Sequence, residues 1–213
     1  MITQDTIKNA LRDYTPKAIT GDRNYSVLLP LTEKSGEPHI LYEVRSDDLD
    51  VQPGEISFPG GAIEKGESKQ EAAVRETVEE LGISPNSIDV LAELNYLVTY
   101  SNLTVYSFLG SVPYSVLETA SINLAEVKET FTVPLSFFLE NKPEQYFNKL
   151  VVEPNPDIPK EKIAPYGEYD WHTGTNEVLI YTWFDPEAGI ERIIWGMTAR
   201  LTYDFVQLIR RNL

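Results

Sequence analysis

The order of apolar and polar residues along the chain predicts mixed strands and helices. Segments 25–31 and 40–44 have the apolar, β-branched and aromatic content of strands, and the turn-like sequence EKSGEP joins them. Further strands are predicted at 54–61, 88–96, 104–112, 127–133, 178–184 and 190–195, with short helices at 3–14 and 135–140. This order predicts an α/β protein with helices on both faces of a mixed sheet.

The clearest predicted helix covers 68–81. Ser68 and Glu71 form a capping-box pattern at its start, and Gly82 is placed to end it. Val74, Val78 and Leu81 are expected to form its buried stripe.

A second long helix is predicted at the end of the chain. Thr198 is expected to cap it, and Leu201, Phe205, Leu208 and Ile209 recur at helical spacing. We expect one domain over 1–213, with an N-terminal helix and a loop insertion at 152–172 that is rich in proline, glycine and charge.

Composition narrows the classes of function. The formal charge is −15, from 33 acidic and 18 basic residues, which argues against a general nucleic-acid binder and against binding to anionic membranes. The chain has no cysteine, so thiolate metal sites are excluded. No apolar run is long enough to span a membrane, and the first residues lack the core of a signal peptide. We therefore expect a cytoplasmic protein.

The helix at 68–81 carries clustered acids. Glu76, Glu79 and Glu80 share one face, where like charges repel. Arg75 is placed to steady one carboxylate, and a divalent cation of the hard, oxygen-preferring kind would relieve the others. Taken alone, three such glutamates are more often a solvated acidic face.

The loop before this helix favours a metal site over a solvated acidic face. Gly60 and Gly61 permit a backbone turn that a side chain would block, and they leave main-chain groups open to a metal or phosphate. Glu67 lies just ahead of the helix, where its dipole favours a carboxylate. Loop and helix together predict a clamp for a metal-bound diphosphate.

The full spacing resembles the box of the Nudix hydrolase family, G-x5-E-x7-R-E-U-x-E-E-x-G-U with U apolar. The matching residues are Gly61, Glu67, Arg75, Glu76, Glu79, Glu80, Gly82 and Ile83. The one departure is Thr77, where the pattern prefers an aliphatic residue, and we expect little consequence from it.

The resemblance implies a Nudix-type α/β/α sandwich with a mixed sheet. It also implies that Glu76, Glu79 and Glu80 bind catalytic Mg²⁺ or Mn²⁺ together with a backbone oxygen near Gly61, and that Arg75 orients a carboxylate. Water would then attack a phosphorus atom.

A glutamate would take the proton from this water. The resemblance makes Glu76 the first candidate, and a glutamate from a later loop, Glu126 or Glu129, the outside candidate. These last two are equally expected as ordinary surface acids ahead of a strand.

The segment before the box is similar to the coenzyme A diphosphatase branch, R-S-x-x-L-x-x-H-x-G-E-x-x-F-P-G-G. The matching residues are Arg45, Ser46, Leu49, Gly54, Glu55, Phe58, Pro59, Gly60 and Gly61. Gln52 replaces the histidine, and EVKETFTVPL and WGMTARL further along also resemble that branch. The implied substrate is coenzyme A or a derivative.

Substrate contacts are expected from Arg45, Phe58, Gly60 and Gly61, with Arg45 meeting a phosphate and Phe58 packing under the glycine turn. Arg45 is alternatively a surface residue and Phe58 a core residue. Tyr166, Tyr169 and Trp171 of the loop insertion offer stacking surface.

Two alternatives of function stay open. One is hydrolysis of ADP-ribose or another nucleoside diphosphate derivative. The other is a Nudix-fold module that senses a nucleotide without cleaving it, although such modules typically lose box carboxylates and none is missing here. A homodimer also stays open.

Overall fold

The computed structural model describes residues 3–10, 12, 23–159, 162 and 171–212. The strands are β1 (Arg23–Lys34), β2 (Glu37–Arg45), β3 (Ile56–Ser57), β4 (Gly60–Ala62), β5 (Asp89–Glu93), β6 (Leu97–Val98), β7 (Leu103–Ser111), β8 (Val127–Pro134), β9 (Glu144–Leu150), β10 (Gly174–Asp185) and β11 (Ile190–Trp195). The helices are α1 (Gln4–Ala10), α2 (Lys69–Leu81), α3 (Tyr114–Glu118), α4 (Leu135–Glu140) and α5 (Gly196–Asn212), with a short 3₁₀ turn at Pro85–Ser87.

Parts of two predicted segments lie outside the described residues. These are the end of the N-terminal helix, with Leu11 and Tyr14, and the middle of the loop insertion, with Tyr166 and Tyr169. Within α1 no residue is buried.

The larger sheet has eight strands and is mixed. Its main path runs β3-β2-β1-β7-β5, while β4 pairs with β1, β6 with β7 and β8 with β2. The pair of β1 and β7 is parallel, and the other pairs are antiparallel. The predicted α/β fold with a mixed sheet is therefore confirmed.

A second sheet of three strands runs β11-β10-β9. The predicted hairpin at its centre is present, with Thr182 facing Ile193 across the antiparallel pair. Strand β9 was not predicted, because its alternating residues Glu144–Leu150 are nearly all exposed and carry no core pattern.

Alternate residues of the central strands face two separate cores. On one side Leu28 packs with Ala73 of α2 and Phe108, and Leu41 packs with Leu81. On the other side a larger cluster joins the sheet to α4, α5 and the second sheet; it includes Leu29, Tyr42, Phe138, Tyr181 and Phe205. This places helices on both sides of the mixed sheet.

Helix α2 begins and ends as its sequence signals predict. Ser68 and Glu71 form the reciprocal capping box, and Gly82 ends the helix in the left-handed conformation with φ 62°. The predicted buried stripe is wrong for Val74 and Val78, which are only half-buried. The small residues of α2 face the sheet instead and allow the helix to approach it closely.

Helix α5 begins at Gly196, so the prediction that Thr198 caps it is wrong. The Thr198 hydroxyl instead donates to the Ile56 carbonyl oxygen at 3.0 Å, which ties the first turn of α5 to β3. Leu201 and Phe205 of the predicted stripe are buried. Across the described residues, no helix combines the length and apolar content that crossing a membrane requires.

Candidate active site

Arg75 organises the acidic end of α2. Its guanidinium donates two hydrogen bonds to Glu67, at 2.8 and 3.1 Å, and one each to Glu76 at 2.8 Å and Glu79 at 3.1 Å. A further bond at 3.1 Å reaches the Ala62 carbonyl oxygen of β4. One cation therefore links the loop, the strand and two of the predicted metal ligands.

The three box glutamates have different surroundings. Glu79 is half-exposed, Glu76 is mostly covered, and Glu80 is buried, with 4% of its surface exposed. The Glu80 carboxylate accepts a hydrogen bond of 2.8 Å from the Gly60 backbone N–H. This bond joins the buried side of α2 to the glycine turn.

Glu43 of β2 is a site residue that the sequence analysis missed. It is 1% exposed, one oxygen accepts a hydrogen bond of 3.0 Å from the Ser57 hydroxyl, and the other oxygen is buried without a partner in the described structure. The available signal was an acidic residue within the strand HILYEVR, between the apolar neighbours Tyr42 and Val44.

These carboxylates raise one another's proton affinity. Burial raises the pKa of Glu80 to about 9, and the nearby charges of Glu43, Glu76 and Glu126 act in the same direction. Burial also raises the pKa of Glu43, against the opposing effects of Ser57 and Arg45. The pKa of Glu76 is raised by burial as well, although Arg75 opposes it.

The glycine pair lies against both the sheet and the carboxylates. A Cβ on Gly60 would lie 2.4 Å from the Ser26 carbonyl oxygen, and a Cβ on Gly61 would lie 2.3 Å from the Glu76 carboxylate. Any larger residue would therefore collide with the backbone of β1 at the first position and displace a predicted metal ligand at the second.

The donor chemistry fits a hard divalent cation. Buried, mutually repelling carboxylates and an unpartnered Glu43 oxygen are the surroundings that Mg²⁺ or Mn²⁺ would stabilise. In the described residues, however, no group of three or more such side chains converges closely enough to hold a metal ion. Arg75 holds oxygens of Glu76 and Glu79, so convergence requires these two side chains to turn away from it.

Glu126 and Glu129 differ sharply in their contacts. The charge of Glu126 acts on Glu43, Glu76 and Glu80, which places it beside the cluster. Glu129 instead accepts two hydrogen bonds from Arg192, at 2.8 and 3.1 Å, and this arginine lowers the Glu129 pKa. A paired carboxylate of lowered proton affinity is a poor general base, so Glu126 is the better outside candidate.

A cavity of about 550 Å³ lies next to this cluster, and Arg45, Phe58 and Gly60 are among its lining residues. Phe58 is 3% exposed and stacks on Tyr42 with ring centroids 4.9 Å apart, which favours its interpretation as a core residue. The Arg45 guanidinium donates to the Val51 carbonyl oxygen at 3.3 Å, while its Nε is buried without a partner in the described structure. Arg45 therefore keeps donor capacity for a ligand.

Gln52, which replaces the histidine of the coenzyme A pattern, also lines this cavity. Its backbone has φ 54°, and its amide donates to Glu55 at 3.0 Å. The Gln52 side chain thus keeps a polar contact, with Glu55, but it cannot be protonated to a cation as a histidine can.

Comparisons with known proteins show the family of this chain. A model of the NUDIX domain matches residues 22–146. The chain is 33% identical over 178 residues to the peroxisomal coenzyme A diphosphatase of Mus musculus, covering 83% of this chain and 66% of that protein. It is 37% identical over 183 residues to a probable Nudix hydrolase of Schizosaccharomyces pombe, covering 82% of this chain and 52% of that protein. The chain thus spans between half and two thirds of the length of these curated relatives.

Solved structures show a more partial likeness. A mutT/nudix family protein from Listeria innocua is 26% identical, with a TM-score of 0.44 over 57% of this chain and 83% of that one. The NUDIX domain of Shewanella oneidensis NrtR, complexed with ADP ribose, is 21% identical, with a TM-score of 0.43 over 65% of this chain and 88% of that one. Because the domain match spans more than half of the chain and includes the whole acidic helix with its loop, this chain belongs to the NUDIX family.

Proposed function

We propose that this chain is a metal-dependent hydrolase that cleaves the diphosphate linkage of a nucleotide-containing small molecule, with coenzyme A or its derivatives as substrates. The observation that carries the proposal is the set of buried, mutually repelling carboxylates around Glu43 and Glu80, which adjoins a cavity lined by Arg45. Such a set is costly unless cations offset it, and a diphosphate is the kind of anion that arrives with cations.

Glu76, Glu79 and Glu80 would hold Mg²⁺ or Mn²⁺, with Glu43 available from the strand beneath them. When bound, these cations neutralise charge on the diphosphate and lower the pKa of bound water. Arg75 would position Glu76 and Glu79 before binding, because it already holds both carboxylates.

The proton of the attacking water would pass to a carboxylate at the edge of the cluster. Glu76 is the first candidate because its carboxylate lies against Gly61 and its side chain keeps 16% exposure. Glu126 is the second, because it lies near the cluster and has no arginine partner in the described residues.

Three observations support coenzyme A among diphosphate compounds. The segment from Arg45 to Gly61 forms one wall of the cavity, the cavity is larger than a metal clamp needs, and the mouse relative is named a coenzyme A diphosphatase. The diphosphate would lie at the carboxylates, with the nucleotide at one end and the pantetheine arm at the other.

Hydrolysis of a diphosphate panel with Mg²⁺ or Mn²⁺ tests the proposal. Coenzyme A should give phosphopantetheine and adenosine bisphosphate, identified by mass. Cleavage of ADP-ribose alone would overturn coenzyme A as the substrate but leave the assignment as a hydrolase intact. Cleavage of no compound would overturn the hydrolase activity and favour a nucleotide-sensing module.

The metal site has its own variant test. Glu79→Gln should weaken divalent binding in calorimetry and nearly abolish turnover, while Glu140→Gln at an exposed position on α4 should match the wild type. Full activity in Glu79→Gln would contradict the metal assignment.

The compartment and the assembly stay predictions. A cytoplasmic location is expected from the sequence, whereas the mouse relative is named peroxisomal; imaging of the tagged full-length protein would decide between them. A homodimer is tested by sedimentation of the purified chain.

A further inference from the structure

The cavity next to the carboxylates is built from two parts of the chain. One wall comes from β1, β3 and the segment before it, within the NUDIX match of residues 22–146. A second wall comes from β10, from Trp195 at the end of β11 and from the first two turns of α5, with Met197 and Arg200, and these residues lie outside that match. The second wall is therefore where this chain can add selectivity of its own.

Two arginines line the cavity, Arg45 and Arg200, in a chain of formal charge −15. Arg200 is half-buried, and within the described part of the chain its guanidinium has neither a hydrogen bond nor an ion pair. The two carboxylates in the same walls, Glu55 and Glu177, are each engaged by a glutamine amide. Arg200 is thus a cation whose donors are available to a ligand.

The positions of the two arginines separate their roles. Arg45 lies close enough to Glu43 for its charge to oppose the rise of that carboxyl's pKa, so it belongs to the end where the diphosphate would lie. Arg200 also lines a smaller neighbouring cavity of about 240 Å³, together with Glu177 and Tyr96, so it lies at the junction of the two spaces.

The backbone that carries Arg200 is held firmly. Thr198 donates to the Ile56 carbonyl oxygen, and the Thr202 hydroxyl lies 2.9 Å from the Tyr42 hydroxyl in the core. These two contacts, on either side of Arg200, fix the first turns of α5 against the sheet. A guanidinium on a fixed backbone suits a ligand group of defined position.

We propose that Arg200 binds a phosphate monoester on the ribose of the substrate's nucleotide, remote from the diphosphate that is cleaved. The planar guanidinium matches phosphate oxygens in a bidentate geometry. Coenzyme A carries such a phosphate and ADP-ribose does not, so Arg200 is a specificity-determining residue. This inference rests on the proposed function, because it assumes that the nucleotide enters this cavity.

Binding of a product fragment tests the inference without turnover. Calorimetry with Mg²⁺ should compare adenosine 3′,5′-bisphosphate with adenosine 5′-monophosphate, which differ only in the ribose phosphate. A bidentate contact predicts that the wild type binds the bisphosphate roughly ten- to a hundredfold more tightly. Arg200→Gln should remove this preference, Arg200→Lys should keep part of it, and Arg211→Gln, an exposed position on the same helix, should retain it.

Kinetics then separates this inference from the proposed function. The ratio of kcat/KM for coenzyme A to that for dephospho-coenzyme A should fall in Arg200→Gln and stay high in Arg211→Gln. Equal binding of the two fragments by the wild type, or a preference that survives in Arg200→Gln, would overturn the role of Arg200 even if coenzyme A is cleaved. If neither coenzyme is cleaved while the fragment preference holds, the proposed function fails and the ribose-phosphate site stands.

Discussion

Replacing Glu80 by glutamine should stabilise the metal-free protein at neutral and higher pH while it removes function. Glutamine has nearly the same shape, and its amide oxygen can accept the Gly60 N–H hydrogen bond that the carboxylate now accepts at 2.8 Å. The substitution therefore removes a buried charge with little change in packing. Wild-type Glu80 must either keep its proton or place a charge beside Glu43.

The direction in which stability changes with pH follows from the direction of the Glu80 pKa shift. Burial raises the Glu80 pKa from 4.5 to about 9, so between these values the folded chain binds more protons than the unfolded chain. The contribution of Glu80 to the free energy of unfolding must then fall as pH rises through this window, by at most about 1.4 kcal/mol per pH unit. Between about pH 5.5 and 7.5 this difference amounts to roughly 2–3 kcal/mol for a wild type without metal.

Urea unfolding across this pH range, in the presence of a chelator, measures the effect. The difference between Glu80→Gln and the wild type should grow with pH, because the pKa shifts of groups remote from Glu80 cancel in that difference. Glu140→Gln, at an exposed position on α4 away from the carboxylate cluster, is the control for a glutamate-to-glutamine change. A wild-type stability that is flat or rises over this range, or an equal slope in Glu80→Gln, would refute the reasoning.

Other substitutions separate catalysis from folding. Gly61→Ala should lower kcat with the fold retained, because the carboxylate that it displaces is a flexible side-chain end, whereas Gly60→Ala should lower the Tm because its Cβ meets the backbone of β1; kinetics and thermal melts distinguish the two. With saturating metal, Glu126→Gln should lose roughly a hundredfold in kcat if this residue is the base. Glu129→Gln should instead lose about 0.5–1 kcal/mol of stability, because Glu129 is 43% exposed and Arg192 keeps its pair with Asp185. A loss of kcat that is larger in Glu129→Gln than in Glu126→Gln would reverse the choice between them.

Helix boundaries were predicted correctly where they depend on residues within one turn of the helix end. Helix α2 has its predicted start and end because the capping box and the αL glycine act within one turn. The buried face of α2 was predicted correctly for Leu81 but not for Val74 and Val78, because that face depends on the sheet. Small residues and Glu80 face β1 and the glycine turn instead. Periodicity alone cannot foresee a carboxylate on the buried side.

The candidate site was predicted only where a family pattern covers it, in the box, the segment before it and Glu126. The box predicted that Arg75 orients one carboxylate, and in the structure this arginine contacts three glutamates and the Ala62 carbonyl oxygen. Glu43 and Arg200 come from a distant strand and a distant helix, and they join the site through sheet pairing and the docking of α5 on β3. No local pattern encodes those distances. Thr77 fits the pattern after all, because it is fully buried and its hydroxyl donates to the Ala73 carbonyl oxygen at 2.7 Å.

The fold holds the Glu43 and Glu80 carboxylates near each other, and their repulsion explains why a cation is expected there. Gly60 lies too close to β1 to move away, and its N–H fixes the Glu80 carboxylate on the buried side of α2. Glu43 is fixed from the other side by its strand and by Ser57. Two carboxylates held by rigid elements cannot separate to relieve their repulsion; they can only keep protons or share a cation. At low pH the two carboxylates are protonated and carry no charge. As pH rises, divalent cations would replace these protons. Metal binding should therefore release protons and become tighter with rising pH.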